Sequence, residues 1–212
     1  QNMRASLTAY YMQNTPKALE YPRWGIGVEG GYNGRVGLSD IYGSGVYGYT
    51  YGYVPGIMRQ HGVKLTATYQ HIFNSLYATN YVKMTPRGFV DGPVSSYLAG
   101  DSRNQLKLTV DYSIPFKMEF GYNAVFRVTH FVIKPHFDCT LFSEDSLGET
   151  ALNSAALASV GSEFAFKLAN FLWLPFDATA GLVADYNSTS GIDALDLDYS
   201  KFHLGVIFKI DL

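Results

Sequence analysis

A chain of 212 residues is long enough for one large domain or for a piece of a bigger one. Only 16% of its residues are charged, against roughly 25% in soluble domains, while another 16% are aromatic (17 Tyr, 14 Phe and 2 Trp) beside 21 Gly. A net charge of −2 offers no basic patch for nucleic acid or an anionic membrane surface, and the single cysteine, Cys139, excludes an internal disulfide and a cysteine metal cluster.

Low charge with abundant Tyr and Gly suits a β-barrel whose exterior meets lipid and whose rims carry amphipathic rings. A helical span is not expected. The long uncharged run Ile41 to Met58 is interrupted by five glycines and Pro55. Residue 1 is Gln, with no charged start followed by an apolar stretch, so export would require a leader already removed or a longer parent chain.

Along the chain, hydropathy alternates with a period of two, which places successive side chains on opposite faces of a strand. Ala5, Leu7, Ala9 and Tyr11 form a weak first set, followed by Trp24, Ile26, Val28 and Tyr32. Tyr47, Tyr49, Tyr51 and Tyr53 then face away from Gly48, Thr50 and Gly52 and are read with the apolar sets. Val63, Leu65, Ala67 and Tyr69 alternate with Lys64, Thr66, Thr68 and Gln70. A long connection, 73–103, leads to Leu106, Leu108, Val110 and Tyr112, which alternate with Lys107, Thr109 and Asp111. Phe131, Ile133, Phe137 and Leu141 alternate with Lys134, His136, Asp138 and Thr140. Val160, Phe164, Phe166 and Leu168 follow, and then Leu172, Leu174, Phe176, Ala178, Ala180 and Leu182. Last come Phe202, Leu204, Val206, Phe208, Ile210 and Leu212, in strict alternation with His203, Gly205, Ile207, Lys209 and Asp211.

The expected fold is therefore all-β, a transmembrane antiparallel β-barrel with about nine strands present. A soluble sandwich also alternates, but uniform strand length, low charge and aromatic rims favour the membrane barrel. Short connections are expected at Asn170-Phe171, at Pro55 to Gln60 and around Pro115. Long ones are expected at 73–103, 142–152 and 187–199. Lys117 to Ala124 keeps the alternation but is read as an elaborated turn, because a further span would put the C-terminus on the wrong side. Single-chain bacterial barrels normally have an even strand number. Nine is odd, so either one strand more is present or the chain lacks the beginning of its barrel; with Lys117 to Ala124 read as a turn, the second is the expectation.

The long connection holds Pro86-Arg87-Gly88-Phe89, and the strand after it closes in Tyr112-Ser113-Ile114-Pro115. The next upward strand carries His136-Phe137-Asp138-Cys139-Thr140. This arrangement resembles the barrels of the BamA/TamA/two-partner-transporter superfamily, over most of residues 60–212. That resemblance implies that an Arg-Gly-aromatic tip in the sixth surface loop folds back into the lumen. There its Arg meets an acidic residue in a Phe-x-Asp-x-Gly-type motif. Arg87, Gly88, Phe89 and Asp138 would be that latch, with Asp138 on the polar, lumen-facing parity. Thr140 replaces the motif's Gly, and Pro135 or His136 its first aromatic. Counted back from the C-terminus of a 16-stranded member, loop 73–103 joins strands eleven and twelve, as the family requires. Phe202, Leu204, Val206, Phe208, Ile210 and Leu212 would form the terminal strand and one side of the seam, with Leu212 in place of the usual terminal aromatic.

By resemblance the chain would sit in the bacterial outer membrane, in contact with lipid and lipopolysaccharide, and insert or export proteins. Its partners would be client outer-membrane proteins or accessory lipoproteins. The alternative is a passive barrel that anchors a periplasmic domain or forms a channel. Enzymatic activity is not expected: Ser, His and Asp are plentiful, but no motif makes them converge. His136 and Asp138 share a strand face, yet no third metal ligand is evident, and no metal or cofactor is expected.

Overall fold

A computed structural model describes residues 2–13, 20–35, 44–73, 80–91, 94–95, 98, 103–121, 127–142, 155–169, 177–191 and 199–211. The nine strands are β1 (Asn2–Met12), β2 (Gly25–Arg35), β3 (Ser44–Pro55), β4 (Gly62–Ile72), β5 (Asn104–Phe120), β6 (Arg127–Phe142), β7 (Ala155–Ala169), β8 (Asp177–Ser190) and β9 (Phe202–Asp211). They form one antiparallel sheet in the order of the chain, with β1 and β9 at its two open edges. The proposed Leu172, Leu174 and Phe176, the Asn170-Phe171 turn, residues 143–152, Tyr122, Ala124 and Leu212 lie outside the described residues.

Period-two patterning gives the sheet two chemically distinct faces. On the inner face, which residues 80–91 cover, Gln70, Gln105, Asp138, Thr140, Ser159, Asp185 and Asn187 are buried. The outer face exposes Leu65, Leu108, Val110, Phe137, Val160, Phe164, Leu182, Phe202, Leu204 and Val206. Leu204 and Val206 on the edge strand are 83% and 81% exposed. This distribution inverts that of a soluble domain, where large apolar side chains face inward and charges outward.

The inner face does hold one apolar cluster. Met84, Phe89, Val94 and Leu98, from the β4–β5 connection, pack with Phe142, Ala155 and Leu157 near one end of β6 and β7. The connection thus covers the sheet end that it leaves, and its own apolar residues supply the contact.

Three sequence expectations are corrected. The tyrosine series of β3 lies on the inner face: Tyr47, Tyr49 and Tyr51 oppose Gln70, Thr68 and Thr66 on β4, in the rows that lead to the buried polar residues. Room for their rings comes from β2, where Gly27 pairs with Tyr51 and Gly31 with Tyr47. A Cβ on Gly31 would lie 2.5 Å from the Tyr47 ring. The glycines are therefore needed for aromatic cover of the neighbouring strand.

The stretch around Pro115 is not a turn. Strand β5 runs through it to Phe120, with Pro115 opposite Val132 and Phe116 opposite Phe131. A register shift between Lys117 and Phe120 absorbs an irregularity there, and Phe116, Met118 and Phe120 stay exposed. The outward alternation thus persists past the proline, and β5 and β6 extend together as a long hairpin. Finally, residues 187–190 belong to β8, because Asn187 to Ser190 pair with Ser159 to Ala156 on β7.

At the opposite end, the β3–β4 turn closes through Gly56 N donating to His61 O and His61 N donating to Met58 O, both at 3.0 Å. Tyr112 of β5 steadies it. Its hydroxyl accepts from Ile57 N at 3.2 Å and lies 2.7 Å from His61 Nδ1.

Candidate functional site

Cross-strand register assembles the site. One inner row runs Lys64, Asp111, His136, Gly161, Asp185 and His203 across β4 to β9. The adjacent row runs Thr66, Thr109, Asp138, Ser159 and Asn187. Residues far apart in sequence thus stand side by side because each strand pairs with the next without a crossover.

Arg87 descends on these rows from the β4–β5 connection. Its Nε donates to Asp138 Oδ2 at 3.1 Å and its Nη2 to Asp138 Oδ1 at 2.8 Å, a two-pronged pair. The Arg87 backbone N–H adds a third bond to Oδ2 at 2.9 Å. Nη2 also lies 2.5 Å from Asp111 Oδ1, and Nη1 lies 3.8 Å from Glu163 Oε1. Burial works against the guanidinium's charge, but Asp138 and Asp111 outweigh it and hold the Arg87 pKa above its ordinary value. The Asp138 side chain is 1% exposed, so its charge depends on these partners.

Backbone contacts on either side fix the loop's path. Thr140 Oγ1 donates to Met84 O at 2.6 Å, and Lys107 Nζ donates to Thr85 O at 2.6 Å. Thr140 therefore holds the loop through its hydroxyl. Gly88 adopts φ +84°, and a Cβ there would lie 2.5 Å from Asn187 Oδ1 and 2.7 Å from Asp185 Cβ. Only glycine combines that backbone with so close an approach. Phe89 is buried and packs on Tyr199, with ring centroids 5.4 Å apart.

Two groups beside Arg87 and Asp138 escaped the sequence reading. Asn187 Nδ2 donates both to Gly88 O at 2.8 Å and to Ser200 O at 2.9 Å, and Asn187 N donates to Lys201 O at 2.8 Å. It therefore ties the loop tip to the start of β9. Asp185 bridges two histidines: His136 Nε2 lies 2.7 Å from Oδ1 and His203 Nδ1 lies 3.2 Å from Oδ2. Asp185 reaches β6 across β7 because Gly161 lies between them; a Cβ at 161 would fall on Asp185 Oδ1 and the Ala184 carbonyl oxygen. An isolated glycine within a strand pattern was the available signal for this approach.

His136 and Asp138 share the inner face but turn to different partners, Asp185 and Arg87. Among the described residues no group of three or more His, Cys, Asp or Glu side chains could hold a metal ion. Phe202, Leu204, Val206, Phe208 and Ile210 all face outward on β9, which pairs only with β8. No described helix is long and apolar enough to cross a membrane. Comparison with family models, curated proteins and solved structures finds no match to this chain.

Proposed function

We propose that the chain is the C-terminal part of an outer-membrane β-barrel of the BamA/TamA/two-partner-transporter type, which inserts or exports proteins across the bacterial outer membrane. The observation that carries this reading is the Arg87–Asp138 grip beneath an inside-out sheet. An apolar exterior of strands 10 to 17 residues long suits a hydrocarbon slab, where every backbone group must be paired within the sheet. A loop drawn back onto the inner face and fixed by a charge-assisted pair is the family's device. On this reading residues 80–91 fill a lumen, Arg87 and Asp138 latch the loop there, and the outer side chains of β9 meet lipid and lipopolysaccharide.

Among the described strands β9 pairs with β8 alone, and an edge strand with apolar side chains can template an incoming strand. Client outer-membrane proteins would add there, with accessory lipoproteins at the rims. No catalysis is assigned. The second reading, a passive anchor for a periplasmic domain, draws support from the way loop 80–91 and its ion pairs occupy the inner face.

Site-specific photo-crosslinking in living cells separates the two. A crosslinking residue at Val206 on β9 should trap client outer-membrane proteins, whereas one at Leu65 in mid-sheet should trap none. Equal, client-free patterns at both positions would reject insertion and leave the anchor.

A further inference from the structure

The inner face is also entered from its other end. Glu20 and Tyr21 belong to the connection between β1 and β2, on the side of the 56–61 turn and opposite the 80–98 loop. Yet Glu20 Oε1 accepts from Lys134 Nζ at 2.7 Å, and Oε2 pairs with Lys167 Nζ. These lysines stand on β6 and β7. From β2 to β6 is four strand spacings, about 19 Å along the sheet at about 4.8 Å per strand. Tyr21 marks the crossing: its ring lies 5.6 Å from that of Tyr53 on β3, and a Cβ on Gly62 would lie 3.2 Å from Tyr21 Cβ.

The anchor is built into the interior rather than laid on a surface. Side chains of Glu20 and Lys134 are each 15% exposed. Lys134 Nζ lies 4.0 Å from Glu163 Oε2, and Glu163 Oε1 lies 3.8 Å from Arg87 Nη1. The chain of contacts therefore continues from Glu20 to the loop. It joins four cations (Lys107, Lys134, Lys167, Arg87) to four anions (Glu20, Asp111, Asp138, Glu163), so the cluster is formally neutral. Low-dielectric surroundings make a poorly paired charge costly, and withdrawing Glu20 would take its carboxylate from Lys167 and leave Lys134 with Glu163 at 4.0 Å. For Glu20, burial opposes the charged form, but Lys134 and Lys167 outweigh it and keep the carboxyl below its ordinary pKa.

We propose that Glu20 and Tyr21 form an internal plug closing the lumen from the end opposite the loop, and that Lys134 and Lys167 make a carboxylate-binding site that Glu20 fills. The proposal takes the inner face as a lumen and in that respect rests on the barrel reading. Passage through the interior then requires both the plug and the Arg87 loop to move. A competing carboxylate on a passing chain is the chemistry suited to releasing the first.

Trypsin cleavage after Arg23, whose side chain is exposed, reports plug release in the protein as it stands in native membranes. Wild-type protein should be cut slowly there and Glu20→Gln at least tenfold faster, with cleavage after Arg87 unchanged. Lys167→Gln removes half the anchor and should give an intermediate rate, and it serves if Glu20→Gln does not fold. Cells carrying Glu20→Gln together with Arg87→Ala, which frees the loop as well, should also become several-fold more sensitive to a bulky hydrophilic antibiotic than cells carrying Arg87→Ala alone. Equal cleavage rates in wild type and both variants would overturn the Glu20 anchor. Faster cleavage with unchanged sensitivity would overturn the plug. Failure of the wild type to give a heat-modifiable band would count against the barrel instead, and cleavage after Arg23 would still decide the anchor.

Discussion

Arg87→Ala should lower unfolding free energy by about 3–5 kcal/mol, because it leaves buried carboxylates without their partner. Asp138 would retain Lys107, at 3.9 Å, and the backbone N–H of residue 87, and Asp111 would lose its contact with Arg87. Residues 80–91 should at the same time become accessible to protease, since the grip that orders them has gone. Asp138→Asn should cost less, because Arg87 keeps Asp111 and Glu163. The exchange Arg87→Asp with Asp138→Arg should restore part of the loss. Full recovery is not expected, since an arginine at 138 would stand beside Lys107. Urea unfolding in detergent, with protease resistance of the loop as second readout, measures all four proteins. Wild-type stability in Arg87→Ala would remove the latch.

The second large effect is expected from a change of one methyl group. Gly161→Ala places a Cβ on Asp185 Oδ1 and 2.9 Å from His136 Nε2, with the Ala184 carbonyl also in the way. Backbone cannot yield as a flexible side chain can, so Asp185 must swing out and release both histidines. Overpacking and the loss of a charged hydrogen bond together should cost about 3 kcal/mol. Gly48→Ala provides the control. It sits on the outer face with nothing within 4 Å of the added Cβ, and alanine has less backbone freedom to lose than glycine. That variant should be as stable as wild type or up to about 1 kcal/mol more stable. Equal losses in the two variants would mean that Asp185 does not depend on the gap at 161.

Much of this architecture was legible from residue spacing. Strand β9 carries a large apolar residue at every even position from Phe202 to Ile210, with Ile207 the one large apolar residue between them, and its outward residues follow that parity. Asp138 could be placed on the inner face from the same alternation, and the long connection before β5 was visible as a gap between two periodic segments. Tyrosine misled because it is amphipathic: Tyr47 to Tyr53 suit an outer rim as well as an inner row. The deciding feature was on another strand, where Gly27 and Gly31 leave room for the rings. Pro115 was read as a break because proline usually marks an edge or a strand end. Here the β5–β6 pairing carries the strand past it. Glu20 left no local trace, since its partner Lys134 is 114 residues away. The His136–Asp185–His203 bridge was hidden for a related reason, being set by register across β6 to β9.

The most direct test concerns the outer face, on which the membrane reading depends. With Cys139 replaced by Ser, single cysteines at Leu204, Val206 and Phe208, and at His203, Ile207 and Lys209, can carry a nitroxide label in lipid vesicles. Labels at 204, 206 and 208 should relax with lipid-soluble oxygen and ignore a water-soluble nickel chelate, whereas those at 203, 207 and 209 should not show this oxygen preference. If the nickel chelate reaches 204, 206 and 208 as freely as it reaches the exposed turn residue Ile57, the outer face is in water and the sheet does not span a membrane.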